Sequence, residues 1–447
     1  MYRICVFILL FISVSSYGEV ILTIDPHTNN AIKGHLELDR LKYFNVAHDG
    51  DHFESTINDP NRLKTYLDEY HMSLGRTIGL VNSWKNRVAE DPARPGYMDI
   101  AKFKAIPPRD FGESDDFRKR WPNLDVAYHD RHSAYPAFIP SYSAPDREGE
   151  HYPTDVDAAS DMAVGVLKER FDDWNRPGTY EIVNEPHHTV WGMQVFADLH
   201  AAICRKAKQA GLKTDVGGPC LSIGYFYKKG YQGLNNITQF IDNTHGQLDF
   251  YSFHIYDYLK WDETAQDFGG EVTAGLPLEG VLDAVQNYTV NKYQKEVPIV
   301  ISEHGGYLYR DGGNFISKDL AVQLIGPGEG FEYEMKRRSV HCFLMTSGVI
   351  ANTMTFMQHP HIMRKSAPFI LLESTSWSPN YYASLLVPEG FKKGNAWRET
   401  ELINFFKLFA EVKGRRVLSL CEDPDIQYHS FVNGKNLFVA MNMAPLS

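Results

Sequence analysis

From about residue 40 to residue 360, short β-like runs alternate with helix-like segments, and no other feature limits the possible folds as much. The runs Tyr43–Ala47, Leu74–Leu80, Ala137–Tyr142, Tyr180–Asn184, Lys213–Gly217, Asp249–His254, Pro298–Ser302 and Ile350–Phe356 read as eight strands. Between them Asn61–Tyr70, Asp155–Trp174, Met193–Ala210 and Leu278–Gln294 read as helices. Asp155–Trp174, for example, sets Ala159, Met162, Ala163, Val166 and Leu167 on one stripe at three- and four-residue spacing. This pattern predicts an α/β chain, a (β/α)8 TIM barrel over residues 30–410, with its site at the C-terminal ends of the strands.

Two connections are long: Val81–Pro136, rich in Pro, Asp and Arg, and Glu263–Pro277. Both follow barrel strands, so both are expected at the mouth of the site. The tail, residues 411–447, changes character. Arg416–Leu420, Ile426–Val432 and Leu437–Met441 read as strands, with Asn433-Gly434 as a hairpin turn. That is a small or incomplete all-β, sandwich-like module.

Acidic residues outnumber basic ones, 56 to 45, for a formal net charge of −11, which argues against a nucleic-acid partner. Aromatic residues make up 13% of the chain; core packing is the first reading of them, and stacking on flat sugar faces is the alternative. Residues 1–18 read as a secretory signal: Arg3, an apolar run from Ile4 to Val14, then Ser15, Ser16 and Gly18. The expected product is secreted, monomeric and free of any membrane association once the signal is removed. Cys204, Cys220, Cys342 and Cys421 lack metal-site spacing and are read as thiols in a core large enough to need no disulfide. Asn236-Ile-Thr and Asn287-Tyr-Thr are glycosylation sequons only in a host that uses them.

Two strand ends carry the candidate chemistry. Tyr180-Glu181-Ile182-Val183-Asn184-Glu185-Pro186 runs into Asn-Glu-Pro, and Pro186 biases Glu185 towards an extended conformation. Asn184 offers an amide to a sugar 2-hydroxyl. Val297-Pro298-Ile299-Val300-Ile301-Ser302-Glu303 is a doubly buried strand type that ends in a carboxylate, which is costly unless exposed or hydrogen-bonded. Between them, Asp249–Asp257 delivers His254 and Tyr256 to the same rim, where a Tyr hydroxyl orients a carboxylate. Arg76, in an apolar strand, needs a carboxylate partner, and Glu303 is the candidate. His48 and Asp49 follow the first strand, and Trp377 offers a stacking platform beyond the eighth. His187 and His188 are adjacent and lack a second histidine pair, so no metal is expected. No Walker loop and no Gly-x-Ser-x-Gly elbow is present, so no cofactor is expected and serine-hydrolase chemistry falls away.

Asn184-Glu185-Pro186 and Ile301-Ser302-Glu303 resemble the motifs of the large clan of (β/α)8 retaining glycosidases. More narrowly, Leu38-Asp39-Arg40-Leu41-Lys42-Tyr43-Phe44-Asn45, with Glu181–Pro186, is similar to glycoside hydrolase family 86, whose members are β-agarases and β-porphyranases. The resemblance implies endo-cleavage of β-1,4 linkages in red-algal galactans, with Glu185 as acid/base and Glu303 as nucleophile. Agarose is the first expectation and porphyran the second, since a sulfated substrate needs a cationic subsite such as Arg109, Arg131, His132 or Arg310 would offer. The alternatives are another retaining enzyme of the clan, such as a xylosidase or mannanase, and a non-catalytic carbohydrate-binding barrel. The mechanism requires Glu185 to have a raised pKa and Glu303 to stay ionised beside Tyr256 or Arg76.

Overall fold

The computed structural model describes residues 3–6, 20–48, 57–107, 115–121, 127–144, 149–187, 190, 193–222, 231–308, 316–372, 384–392 and 394–443. Eight strands share one sheet: β1 (Asn45–Ala47), β2 (Ser73–Ile78), β3 (Ala127–His129), β4 (Thr179–Glu181), β5 (Asp215–Ser222), β6 (Phe250–Asp262), β7 (Ile299–Leu308) and β8 (Met363–Pro368). Spatial order follows chain order, and every consecutive pair is parallel. The two ends of the sheet also meet. Ala47 bridges Phe369 in parallel, and Leu371 donates its N–H to the Ala47 carbonyl at 2.7 Å. Asn45 strengthens the junction, donating Nδ2 to the Leu41 carbonyl at 2.7 Å and the Ser366 carbonyl at 3.1 Å.

Parallel neighbours need crossover connections, and helices supply them. They are α1 (Val156–Glu169), α2 (Gln194–Gln209), α3 (Gln232–Asn243), α4 (Leu276–Tyr293) and α5 (Gly330–Met357). Asp155 caps α1, its carboxylate accepting the Ala158 N–H at 3.0 Å. The α1 stripe expected from spacing is fully buried at Ala159, Met162, Ala163, Val166 and Leu167.

Two expected strands are corrected. Ala137–Tyr142 is not the third strand; Ser141–Ser143 pairs antiparallel with His151–Pro153 in a hairpin between β3 and α1. The true β3 has only three residues and no apolar run to mark it. Ile350–Phe356 lies inside α5, where Met345, Val349, Ile350, Met354 and Met357 recur at helical spacing and are buried. A short apolar run cannot be told from a buried helix segment by pattern alone. β8 reads Met-Arg-Lys-Ser-Ala-Pro, so its polarity hides it. By length and composition α5 also resembles a membrane span, but its apolar window is mostly buried within the protein.

The tail strands β9 (Arg415–Cys421), β10 (Ile426–Asn433) and β11 (Asn436–Met443) form an antiparallel run, turning at Gly434 with φ +60°. Leu22–Asn29 pairs with β9, and Arg3–Val6 runs parallel to β11, so this sheet has five strands, or four without the segment expected to be a secretory signal. Its extra strands come from the opposite end of the chain, which is why the tail alone looks incomplete. The sheet packs on α5, with Arg416 Nη2 donating to the Met357 carbonyl at 2.8 Å and His429 Nε2 lying 2.7 Å from the Met354 carbonyl.

The long connections acquire structure of their own. The one after β2 holds the hairpin Glu90–Asp91/Arg94–Met98 and the helices Ile100–Ala105 and Asp115–Arg120. After the core of β6, Tyr258–Asp262 pairs antiparallel with Asp267–Glu271. Cys204, Cys220, Cys342 and Cys421 are all free thiols, the first three buried.

Asn45 is the test of the sheet junction. Asn45→Ala leaves the buried Ser366 carbonyl and the half-buried Leu41 carbonyl without this donor and is expected to cost about 1–3 kcal/mol, read as a lowered urea midpoint; an unchanged midpoint means the junction does not depend on it.

Candidate active site

The site is built where β2, β4, β5, β6 and β7 deliver polar side chains to one end of the sheet. β4 ends at Glu181, earlier than expected, and residues 182–185 leave the ladder. This turn is anchored by Asp130: its backbone carbonyl accepts the Asn184 N–H at 2.7 Å. The Asp130 carboxylate accepts from Val81 N at 2.9 Å, Asn82 N at 2.8 Å and the Tyr180 hydroxyl at 2.8 Å. Burial pushes that carboxyl up to about 6, and these donors oppose the shift.

Pro186 does not make Glu185 extended. Glu185 has φ +42°, in the left-handed region that non-glycine residues rarely occupy. Surrounding contacts override the local preference. His132 Nε2 lies 3.0 Å from the Glu185 carbonyl, and the His132 ring is itself held by Glu150 at 3.5 Å. Strain of this kind costs on the order of 1–3 kcal/mol and is typical of functional positions.

Arg76, with no solvent exposure, lies at the centre of the cluster. Its Nη1 donates to Glu303 Oε1, its Nη2 donates to Asn184 Oδ1, and its Nε lies 3.6 Å from Glu181 Oε2. Glu181 is fully buried and also accepts from Ser302 Oγ at 2.7 Å. The Tyr256 hydroxyl donates to Glu303 Oε2. A guanidinium and a phenol on one carboxylate both favour its ionised form.

His254 is fully buried and stands between the two candidate carboxylates. Its Nδ1 is 2.8 Å from Glu185 Oε1 and 3.2 Å from Glu303 Oε2, and these three atoms lie within 4.8 Å of one another. A cation would fit such a spacing, but Arg76 already supplies positive charge to Glu303, so we assign no metal. Burial alone would raise the Glu185 carboxyl; the His254 hydrogen bond and charge, with Arg76 and His132 behind them, outweigh it and hold the group down at about 2. His254 shifts the other way, well above the ordinary 6.5. Burial opposes its charge, but the charges of Cys220 and Glu303 and the hydrogen bonds with Cys220 and Glu185 favour it. In the free protein the Glu185 carboxyl is thus shifted in the direction opposite to the one an acid role calls for, with His254 as the cause. The Glu185 side chain is half exposed and the Glu303 side chain nearly buried, so only Glu185 faces open space.

The structure thus brings together Arg76, Asn184, Glu185, His254, Tyr256 and Glu303. His48 is buried at the end of β1, its N–H donating to the Arg76 carbonyl at 2.9 Å. Asp49, Arg109, His188, Arg310 and Trp377 lie outside the described residues. Asp257, read as a strand end, is mid-strand and buried, accepting the Thr273 N–H at 2.7 Å. Sequence reading missed Glu181, Ser302, Cys220 and the Asp130 anchor; the buried Arg76 was the one signal for Glu181, since a cation there calls for anions.

No family model matches the chain. Three curated relatives align along nearly all of it. A funoran endo-β-hydrolase of Wenyingzhuangia aestuarii is 24% identical over 98% of this chain and 59% of its own length. β-Porphyranase A of Phocaeicola plebeius is 24% identical over 95% and 52%, and β-agarase AgaO of Microbulbifer thermotolerans 28% over 96% and 41%. The chain spans about half the length of these relatives. Among solved structures, BuGH86 in complex with neoagarooctaose superposes with a TM-score of 0.72 at 20% identity, covering 95% of this chain and 69% of that one. BpGH86A, a β-porphyranase of glycoside hydrolase family 86 from the human gut bacterium Bacteroides plebeius, gives 0.66 at 20% identity, covering 95% and 66%. The resemblance read from Leu38–Asn45 and Glu181–Pro186 therefore holds: the chain is a homologue of glycoside hydrolases named β-agarase, β-porphyranase and funoran hydrolase, and it carries the α/β fold of family 86.

Proposed function

We propose that this chain is a secreted endo-hydrolase of red-algal galactans that cleaves β-1,4 linkages with retention of configuration, with agarose as its first substrate and porphyran its second. Its eight parallel strands, joined by the Ala47–Phe369 bridge, are read as a closed (β/α)8 barrel carrying a small β module. The observation that carries the mechanism is the carboxylate spacing. Facing oxygens of Glu185 and Glu303 lie within 4.8 Å. Retaining enzymes hold their carboxyl groups about 5–5.5 Å apart, whereas inverting ones leave roughly 6.5–9.5 Å for a water.

Glu303, held as a carboxylate by Arg76 and Tyr256, attacks the anomeric carbon. Glu185 protonates the leaving oxygen, then as a carboxylate takes a proton from the water that releases the sugar. Asn184 has its Oδ1 on Arg76, which turns its Nδ2 to the 2-hydroxyl. A polymer of this size is met outside the cell, in keeping with a secretory signal at residues 1–18. His132 favours a neutral polymer over a sulfated one: it turns to Glu150 and to the Glu185 backbone, and a carboxylate at that distance repels sulfate.

Digesting agarose, porphyran, funoran, xylan and mannan in parallel tests the substrate class, with neoagaro-oligosaccharides, which carry galactose at the reducing end, expected from cleavage of β-1,4 linkages. Glu303→Gln and Glu185→Gln are each expected to lower turnover about 10²–10⁴-fold or more; wild-type turnover in Glu303→Gln excludes it as nucleophile. Azide is expected to rescue Glu303→Gly, giving a glycosyl azide of configuration opposite to the normal product.

The pH profile follows from the shifted pair. Glu185 and His254 share one proton, and His254 holds it to a pH well above 6.5, so turnover is expected to fall as pH rises through that raised value. Glu185→Gln should abolish this alkaline limb, measured as kcat against pH from 5 to 10; an unchanged limb would place the titrating group elsewhere.

A further inference from the structure

We propose that Cys220 is a positioning residue whose thiol fixes the His254 ring so that Nδ1 carries the proton Glu185 delivers to the leaving oxygen. The inference rests on the acid/base reading of Glu185 and adds to it the source of the proton.

Local backbone explains why a cysteine reaches this place. β5 pairs with β6 through Gly217–Phe250, Gly218–Tyr251 and Pro219–Ser252, then resumes at Leu221–Phe253, so Cys220 is the extra residue of a bulge. It has φ +62°, and Ser252 Oγ accepts its N–H at 3.1 Å. A bulge re-aims a side chain, and this one sends Sγ to 3.0 Å from His254 Nε2, 3.7 Å from Ser302 Oγ and 3.8 Å from Asn184 Oδ1. Cys220 is fully buried and is a free thiol. Neither a disulfide nor nucleophilic attack on a polymer accounts for it.

The two ring nitrogens have different partners, and the difference sets the chemistry. Nδ1 faces the carboxylates of Glu185 and Glu303, which only accept hydrogen bonds when ionised, so Nδ1 carries a hydrogen in the free protein. Nε2 faces sulfur at 3.0 Å, and in the charged ring, where both nitrogens donate, Sγ is the atom placed to accept the Nε2–H. The Nδ1 proton can therefore pass to Glu185 Oε1 while Nε2–H stays on Sγ, leaving a neutral ring that has not rotated. Glu185 then gives that proton to the glycosidic oxygen as its bond to the anomeric carbon breaks. In the second half-reaction, a water proton returns through Glu185 to Nδ1 as the water oxygen bonds to the anomeric carbon and Glu303 leaves. Every proton is accounted for within the triad Cys220, His254 and Glu185.

The charged and titratable groups around the ring come from four other elements: Glu185 after β4, Cys220 on β5, Glu303 on β7 and, behind both carboxylates, Arg76 on β2; Tyr256 follows on β6 itself. The hydrogen bond with Cys220 is among the influences that raise His254, while burial pushes the thiol itself above its ordinary value, so Sγ acts as a neutral partner.

The test is a 15N NMR titration of the His254 ring alongside kcat against pH on agarose, in wild type, Cys220→Ala and Cys220→Ser. In Cys220→Ala the ring is expected to titrate about one pH unit lower or more, and the alkaline limb of kcat to move with it, with kcat at pH 8 reduced about tenfold and KM within twofold. Cys220→Ser, which keeps a hydroxyl that accepts from Nε2, is expected to recover part of both shifts, and carries the same readouts if the alanine variant does not fold. An unmoved His254 titration in a folded Cys220→Ala protein overturns the proposal, even where kcat falls equally at every pH. If the wild-type protein hydrolyses no galactan, the functional reading fails, and the NMR titration still decides whether Cys220 sets the His254 proton.

Discussion

The guanidinium of Arg76 has no access to water, and its contacts reach well beyond its neighbouring strands: Glu181 and Asn184 from β4 and the turn after it, Glu303 from β7. A buried cation is tolerated only beside anions with good geometry, and removing one partner of such a pair costs about 3–5 kcal/mol. That requirement ties the placement of Glu303 to the relative positions of β2, β4 and β7. Tyr256 and His254 approach from β6, between β5 and β7, and complete the surroundings of the same carboxylate. The half-exposed Glu185 is held by His254 on one side and by the His132 contact to its backbone on the other. A site that depends on exact spacing thus hangs on a network most of which is sealed from solvent.

What was legible in the sequence follows from this. Glu303 stands out because a β-branched strand running into a carboxylate is costly without partners, and Arg76 stands out in an apolar strand for the same reason. The alternation of strands and helices is visible wherever strands are apolar and helices amphipathic. It fails at β8, where Arg364, Lys365 and Ser366 give a polar strand, and at α5, whose apolar run imitates one. Cys220 is hidden because a bulge breaks the alternation by which inward-facing residues are recognised. The φ of Glu185 is hidden because distant contacts override the preference imposed by Pro186. The five-stranded sheet is hidden because pairing of Leu22–Asn29 with Arg415–Cys421 joins opposite ends of the chain.

The two carboxylates differ by environment rather than by type. Glu303 is nearly buried and bound by a guanidinium and a phenol, which suits the ionised nucleophile proposed for it. Glu185 faces open space and shares a proton with an imidazole, a setting in which the proton is held in reserve until a leaving group takes it. Groups this tightly coupled titrate as a unit, so a pH profile reports the pair and not either residue alone.

The most direct test of a two-carboxylate retaining site is the anomeric configuration of the first-formed product, followed by 1H NMR during the opening minutes of agaro-oligosaccharide hydrolysis. Glu185 and Glu303 at this separation lead to the β-anomer first, with the α-anomer appearing only through later mutarotation. Initial release of the α-anomer would contradict a covalent intermediate on Glu303.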